Sequence, residues 1–306
     1  MKESQYTISS EGIYTDFVPS NVTQTRNVLE QMFSKKINLL LESKRPRKSY
    51  STKGKLCSRR LYQTPFNDNV FSKHTNDPSS DTTIIMLIDA SGSMDSRINM
   101  SIGTEYNKMT QIQACNAVVS AFAKSVDKIT NNAIKLEVFT KTSSNISGSN
   151  LLGMKGAFAN LTRVFTNSNK KMDADRILRL GTYSPLILKH EGGAREVVGS
   201  STPEYAVLPA LLDWAKKNVT TKNVVVFNLT DGDTYALMGD KSIDNEFTKQ
   251  MRNKYLRHID NVTLYIDGEA TDYSKEIYGD NIIGTDGDFV TPMFNTLIKI
   301  FNKSIS

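Results

Sequence analysis

With 306 residues, 39% of them hydrophobic and 23% charged, the chain has the make-up of a folded globular protein large enough for a sizeable core. No apolar run approaches the roughly 20 residues that cross a bilayer, so no membrane association is expected. The net charge of +6 is local: Lys44–Arg60 holds eight basic residues and no acidic one, and without those eight the chain carries about −2.

Residues 1–20 show no sustained period and read as irregular, and MKESQYTISSEG lacks the apolar stretch of a secretory signal. With two cysteines, Cys57 and Cys115, standing far apart, a reducing, cytoplasmic setting is expected. From Val22 onward, Val28, Leu29, Met32, Phe33, Ile37, Leu40 and Leu41 recur at spacings of three and four. That spacing predicts an amphipathic helix of about five turns, capped by Ser20 or Asn21 and stopped by Pro46. The basic run follows. Such a run can contact nucleic acid or an acidic protein surface, but the favoured reading is a solvated, partly ordered connector. With little aromatic content beyond Tyr50, it lacks the interleaved rings of a nucleic-acid groove. Leu61–Val70 reads as irregular and His74–Asp81 as a polar linker, so residues 1–80 form a helix plus a basic arm ahead of a domain over 81–306.

The five consecutive large apolar residues Ile84–Ile88 predict a strand buried on both faces. It ends abruptly in Asp89-Ala90-Ser91-Gly92-Ser93, with oxygen side chains at alternate positions. Asp95–Asn107 is polar and reads as an exposed loop. Ile112, Cys115, Val119, Phe122, Val126 and Ile129 mark one face of a helix, with Cys115 a small buried hydrophobe on it. Ile134–Thr140 alternates as a second strand, which completes a β-α-β unit and predicts a parallel sheet. Residues 142–160 carry no usable period, and the stretch from Ser143 to Ser201 reads as an insertion (around 143–200). Asp173–Leu180 suits a short helix, and Lys189–Ser201 a Gly-rich loop. Pro203 after Thr202 opens a helix with Tyr205, Leu208, Leu211, Leu212 and Trp214 toward the core and Pro209 inside it. Asn223–Leu229 is another central strand, ending in Thr230-Asp231-Gly232-Asp233. Glu246–Ile259 reads as helix, Val262–Ile266 and Ile282–Gly284 as strands, and Pro292–Phe301 as the closing helix. The alternation predicts an α/β fold: a doubly wound, mostly parallel sheet flanked by helices, with an N-terminal helical and basic extension.

Ligands of open α/β sheets bind beyond the carboxyl ends of the strands. Loops carrying Asp89, Ser91 and Ser93, then Thr202, then Asp231 are expected to meet at that edge. All of these donors are oxygens, the preference of magnesium, which takes octahedral oxygen ligands at about 2.0–2.1 Å and keeps waters. Zinc and copper would want nitrogen or sulfur. Thr202 is the least constrained member, since a helix N-cap is the competing, less favoured reading and Thr162, Thr166 and Thr182 also lie between the two aspartates.

These residues resemble a von Willebrand factor A (VWA) domain with a metal-ion-dependent adhesion site. Asp89, Ser91 and Ser93 match its D-x-S-x-S motif, with Met94 following; Thr202 stands where its separate threonine is expected, and Asp231 in Thr230-Asp231-Gly232 matches its strand-terminal aspartate. Within that family, LIDASGSM, TPEYAVLPALLDWA and NLTDGD are most similar to the cobaltochelatase VWA subunit of cobalamin biosynthesis. The resemblance covers roughly residues 82–303. It implies a metal site of Asp89, Ser91, Ser93, Thr202 and Asp231 holding Mg2+, with Mn2+ as an alternative. It also implies a ring-forming AAA+ ATPase partner and a carboxylate-bearing protein ligand at the ion.

Nothing in the sequence points to catalysis by the chain alone. His74, His190 and His258 read as surface residues. The D-x-D of aspartate-nucleophile phosphatases is broken by Ser91, and no GxxxxGK[ST] loop exists. Asp233 and Asp240 read as solvated turn residues. The expected role is a magnesium-dependent interaction subunit of a chelatase-like complex, with the narrower reading, insertion of cobalt or magnesium into a tetrapyrrole, resting on family analogy. The alternative is a stand-alone metal-dependent binding or scaffold protein.

Overall fold

The computed structural model describes residues 6–9, 14–44, 49–51, 55–56, 71–73, 82–102, 105–130, 134–147, 156–169, 171–182, 186–189, 195–198, 204–231, 241–255, 259–266, 268–270, 272–279, 282–285, 288 and 290–303. Strand β1 (Tyr6–Ser9), a correction to the irregular stretch expected over residues 1–20, is held by a parallel strand from far along the chain (residues 159–162) and precedes helix α1 (Ser20–Lys44). The short strands β2 (Ser49–Ser51), β3 (Lys55–Leu56) and β4 (Phe71–Lys73) form a small sheet of their own. Most of the basic run Lys44–Arg60, with Cys57, lies outside the described residues.

The fold is organised by β5 (Thr82–Asp89), all eight residues of which are buried. Its five large apolar side chains, Ile84–Ile88, are at most 1% exposed. At about 1.5–3 kcal/mol for each buried side chain, this strand is a main source of stability. A hairpin follows, β6 (Arg97–Ile102) and β7 (Glu105–Thr110), and leads into α2 (Gln111–Thr130). The exposed loop expected over Asp95–Asn107 is therefore a correction: these polar residues pair as antiparallel strands, anchored by buried Met100 and Met109 against α2. The start of α2 is fixed by a reciprocal cap, in which Thr110 N–H donates to Gln113 Oε1 (3.1 Å) and Gln113 N–H to Thr110 Oγ1 (3.4 Å).

β8 (Ile134–Ser147) and β9 (Gly156–Thr166) come next. β8 runs seven residues past the expected end at Thr140, because β9 and later β11 satisfy its extension with antiparallel partners. Asp173–Leu180 forms a 3-10 turn over Ala174–Arg179, capped by the Asp173 carboxylate accepting Asp175 N–H at 2.9 Å. The hairpin β10 (Leu186–Lys189) and β11 (Arg195–Val198) pairs with β8, so part of the Gly-rich stretch is strand. Then come α3 (Glu204–Asn218), with Pro209 inside it, β12 (Asn223–Thr230), α4 (Lys241–Tyr255) and β13 (Asp260–Tyr265). The chain closes with α5 (Asp272–Tyr278), β14 (Ile282–Gly284) and α6 (Val290–Lys303).

The main sheet runs β1-β9-β8-β5-β12-β13-β14. The strands from β8 to β14 are mutually parallel, β9 is antiparallel to β8, and β1 adds parallel to β9. One face packs on α1, α2 and α6; the other packs on α3 through Val207, Ala210, Leu211 and Ala215. Helix α1 is part of the main core: Val22, Leu29, Phe33 and Ile37 are buried there, and the Phe33 ring packs edge-on to Phe122 at 5.4 Å and stacks on Phe294 at 5.6 Å. The result is an α/β architecture with a mostly parallel sheet flanked by helices. Numbering its six central strands along the chain, their order is 3-2-1-4-5-6, the doubly wound arrangement whose crevice opens between strands 1 and 4. Those strands are β5 and β12. Among the described residues, no helix is long and apolar enough to cross a membrane.

Candidate metal centre

Asp89 ends β5, and Thr230 and Asp231 end and follow β12, so the two strands flanking the switch point deliver their polar ends side by side. The Asp89 carboxylate is fully buried and organised by its neighbours. Its Oδ1 accepts Ser91 N–H at 2.9 Å, and its Oδ2 accepts the Thr230 hydroxyl at 2.8 Å. Thr230 is itself fully buried. The first contact is an Asx turn, for which aspartate is suited, and it lifts the chain out of the strand.

The turn then tightens into a 3-10 segment over Gly92–Asp95, held by Met94 N–H donating to Ser91 C=O (3.2 Å) and Ser96 N–H to Ser93 C=O (2.9 Å). Met94 inserts into the core as its anchor. With Met94 pinned inward, Ser91 and Ser93 bring their hydroxyl oxygens to 3.0 Å of one another. Adjacent ligands of an octahedral ion with oxygens at about 2.0–2.1 Å are spaced about 2.9 Å apart. The hydroxyl pair therefore fits two neighbouring vertices of a magnesium-sized shell. Ser91 is buried, Ser93 is exposed and Asp231 is half-buried, so the cluster has a dry floor at Asp89 and a face open to solvent.

A lysine completes the surroundings. Lys141 lies opposite Asp89 in the parallel β5–β8 register, and its C=O accepts Ala90 N–H at 3.1 Å. Its side chain is fully buried, with Nζ 3.8 Å from Asp89 Oδ2. Cys115, from the first turns of α2, senses the same charges: burial pushes its thiol well up, the Asp89 and Asp231 carboxylates push it further, and Lys141 opposes them. Such a thiol is inert.

Of the five residues expected to form the site, the structure brings together Asp89, Ser91 and Ser93, and sets Asp231 beside them at the end of the neighbouring strand. Thr202 lies outside the described residues, as do Asp233, Asp240, His74, His190 and His258. Among the other threonines, Thr166 is far from the edge: it pairs with Glu137, four residues down β8 from Lys141, and donates to Glu137 Oε1 at 2.9 Å. Thr162 is buried opposite Thr140, one register step from Lys141. Among the described residues, no group of three or more His, Cys, Asp or Glu side chains gathers; the donors here are two carboxylates and hydroxyls, a set for a hard ion.

Two residues of the cluster went unnoticed in the sequence. Thr230 had a signal, as the last residue of the β12 run before Asp231. Lys141 had one only in comparison: it follows IKLEVFT at the offset at which Asp89 follows TTIIMLI, so aligning the two strands by their apolar runs sets lysine against aspartate.

No family model matches the chain, and no curated protein matches it. Among solved structures it is similar to the pilus adhesin SpaC of Lactobacillus rhamnosus GG in its open conformation, with 14% identity and a TM-score of 0.40 over 72% of this chain and 30% of that one. This chain thus spans under a third of that adhesin's resolved length. An uncharacterized membrane spanning protein from Vibrio fischeri overlaps 72% of this chain and 97% of its own, with 14% identity and a TM-score of 0.24. Both overlaps are too loose to carry function.

Proposed function

We propose that this protein is a VWA-like, magnesium-dependent interaction subunit. One observation carries the reading: a hydroxyl pair 3.0 Å apart stands over a buried, pre-organised aspartate at the switch point of a doubly wound sheet. Ser91 and Ser93 would hold the ion through their hydroxyls, with Asp89 and Asp231 supplying negative charge and Thr202 the remaining protein oxygen. When bound, the ion supplies an open coordination position for an external carboxylate. The chain's own residues do the rest. Thr230 and the Ser91 amide fix the Asp89 carboxylate, Met94 fixes the turn, and the open face at Ser93 admits a partner.

The identity of that partner comes from the sequence resemblance, which points to an AAA+ ATPase in a cytoplasmic, cobaltochelatase-like complex. The test is capture of partner from the native host by wild type, Asp89→Asn and the Ser91→Ala/Ser93→Ala double variant, each with Mg2+ and with chelator. The expected result is capture of an AAA+ ATPase by wild type in Mg2+ alone. Magnesium-dependent capture of other proteins without an ATPase would favour a stand-alone binding protein. Equal capture by all variants in all conditions would sink the reading.

A further inference from the structure

Lys141 is the feature of the site that an ion alone does not explain. Lysine is seldom fully buried, since an ammonium stripped of water is costly unless paired. Here β-sheet register holds it at 3.8 Å from Asp89 Oδ2, in the same buried region as the carboxylate. Formal charges make its consequence concrete. Asp89 and Asp231 bring about −2 and Lys141 about +1, so among the described residues the cluster offers a divalent ion a net charge of about −1. With the ion bound, the site stands at about +1; without the lysine, the same ion would be just neutralised.

We infer that Lys141 is a charge-setting and positioning residue: its ammonium holds Asp89 when no ion is bound and weakens the bare site's affinity for divalent cations, so that firm binding also requires an anionic group from a partner. The inference rests on the ion-site reading above. Its physical basis is repulsion between an ammonium and a dication that share one carboxylate, across an interior with little water to screen them. The lysine and the ion are thus alternative counter-charges to Asp89. A lysine that served only to neutralise Asp89 within the fold would give a different signature, since its loss would lower stability and leave ion affinity no better.

The experiment titrates the full chain with Mn2+ alone, by calorimetry, in wild type, Lys141→Met and Lys141→Gln, with Ser91→Ala/Ser93→Ala as the site control. Both neutral variants are expected to bind Mn2+ about tenfold tighter than wild type, or better. Thermal melts provide a second readout, in which excess Mn2+ raises Tm further for the neutral variants than for wild type, because the ion takes over the role of the ammonium. Unchanged or weaker Mn2+ binding by the neutral variants overturns the inference. Neutral variants that stay unfolded even with Mn2+ overturn it too, because the ion then cannot stand in for the lysine. If wild type binds, the serine control does not and the lysine variants bind as wild type does, the inference falls and the ion site stands. If no form binds Mn2+, both fall.

Discussion

Replacing Thr230 by valine probes the floor of the site while leaving the serine hydroxyls in place. Thr230 Oγ1 donates to Asp89 Oδ2 at 2.8 Å, and both residues are fully buried. A hydrogen bond to a charged group is worth about 1.5–3 kcal/mol net, and burial here removes water as a substitute partner. Valine keeps the β-branch that a strand favours, so backbone preference barely changes. Thr230→Val should therefore lower stability by about 1.5–3 kcal/mol in metal-free buffer, read from urea unfolding followed by circular dichroism. Two controls sharpen the reading. Thr230→Ser keeps the donor and should recover most of the loss. Ser93→Ala removes an exposed hydroxyl and should stay within about 0.5 kcal/mol of wild type. A Thr230→Val protein within about 0.5 kcal/mol of wild type, or a serine variant as damaged as the valine one, would refute the reasoning.

Phe33→Ala should cost about 3–5 kcal/mol, because its ring is buried between Phe122 and Phe294 and joins α1 to α2 and α6; a loss under about 1 kcal/mol would mean that α1 is not integral to the core. Gly284→Ala should destabilise the β13–β14 edge, since its Cβ would overlap the Gly268 carbonyl and the Glu269–Ala270 backbone; an unchanged urea midpoint would count against that packing. Burial pushes the Glu137 carboxyl up against the weaker pull of Thr166, Arg163 and Lys135. A folded value above the unfolded one means that ionisation opposes folding at neutral pH, so Glu137→Gln should stabilise there and lose its advantage in acid; a pH series of urea midpoints checks it. Glu30 behaves in the opposite sense: burial alone would raise it, but hydrogen bonds from Lys128 and Arg26 prevail and hold it below the usual carboxylate range. Its stabilisation is present at neutral pH and lost as pH falls through the folded value, so Glu30→Gln should be destabilising at neutral pH and converge on wild type in acid.

The parts of the fold that were legible in the sequence are those whose burial is complete or one-sided. Ile84–Ile88 announces a central strand because both its faces are covered, and Ile112 to Ile129 announces a helix because one face is. The 97–110 hairpin leaves no alternation to detect in the sequence: among its described side chains Met100 and Met109 alone are buried, between largely polar neighbours. The β8 extension through Ser147 was missed for a related reason: partners from β9 and β11, distant in sequence, hold it, and no local preference of SSNIS does. At the site, Asp89, Ser91, Ser93 and Asp231 could be read because short oxygen side chains interrupt apolar runs at the ends of strands. Lys141 could not be read in isolation, since a lysine after a strand is ordinarily solvated, and only strand register reveals its buried position beside Asp89.

The central claim is that the ends of β5 and β12 form an ion site. Equilibrium titration of Mn2+ into wild type, Lys141→Gln and Ser91→Ala/Ser93→Ala, each confirmed folded by circular dichroism, tests it most directly. The account predicts saturable binding of a single ion by wild type and its loss in the double variant. Absence of binding by wild type and by Lys141→Gln alike, or equal binding by the double variant, would contradict it.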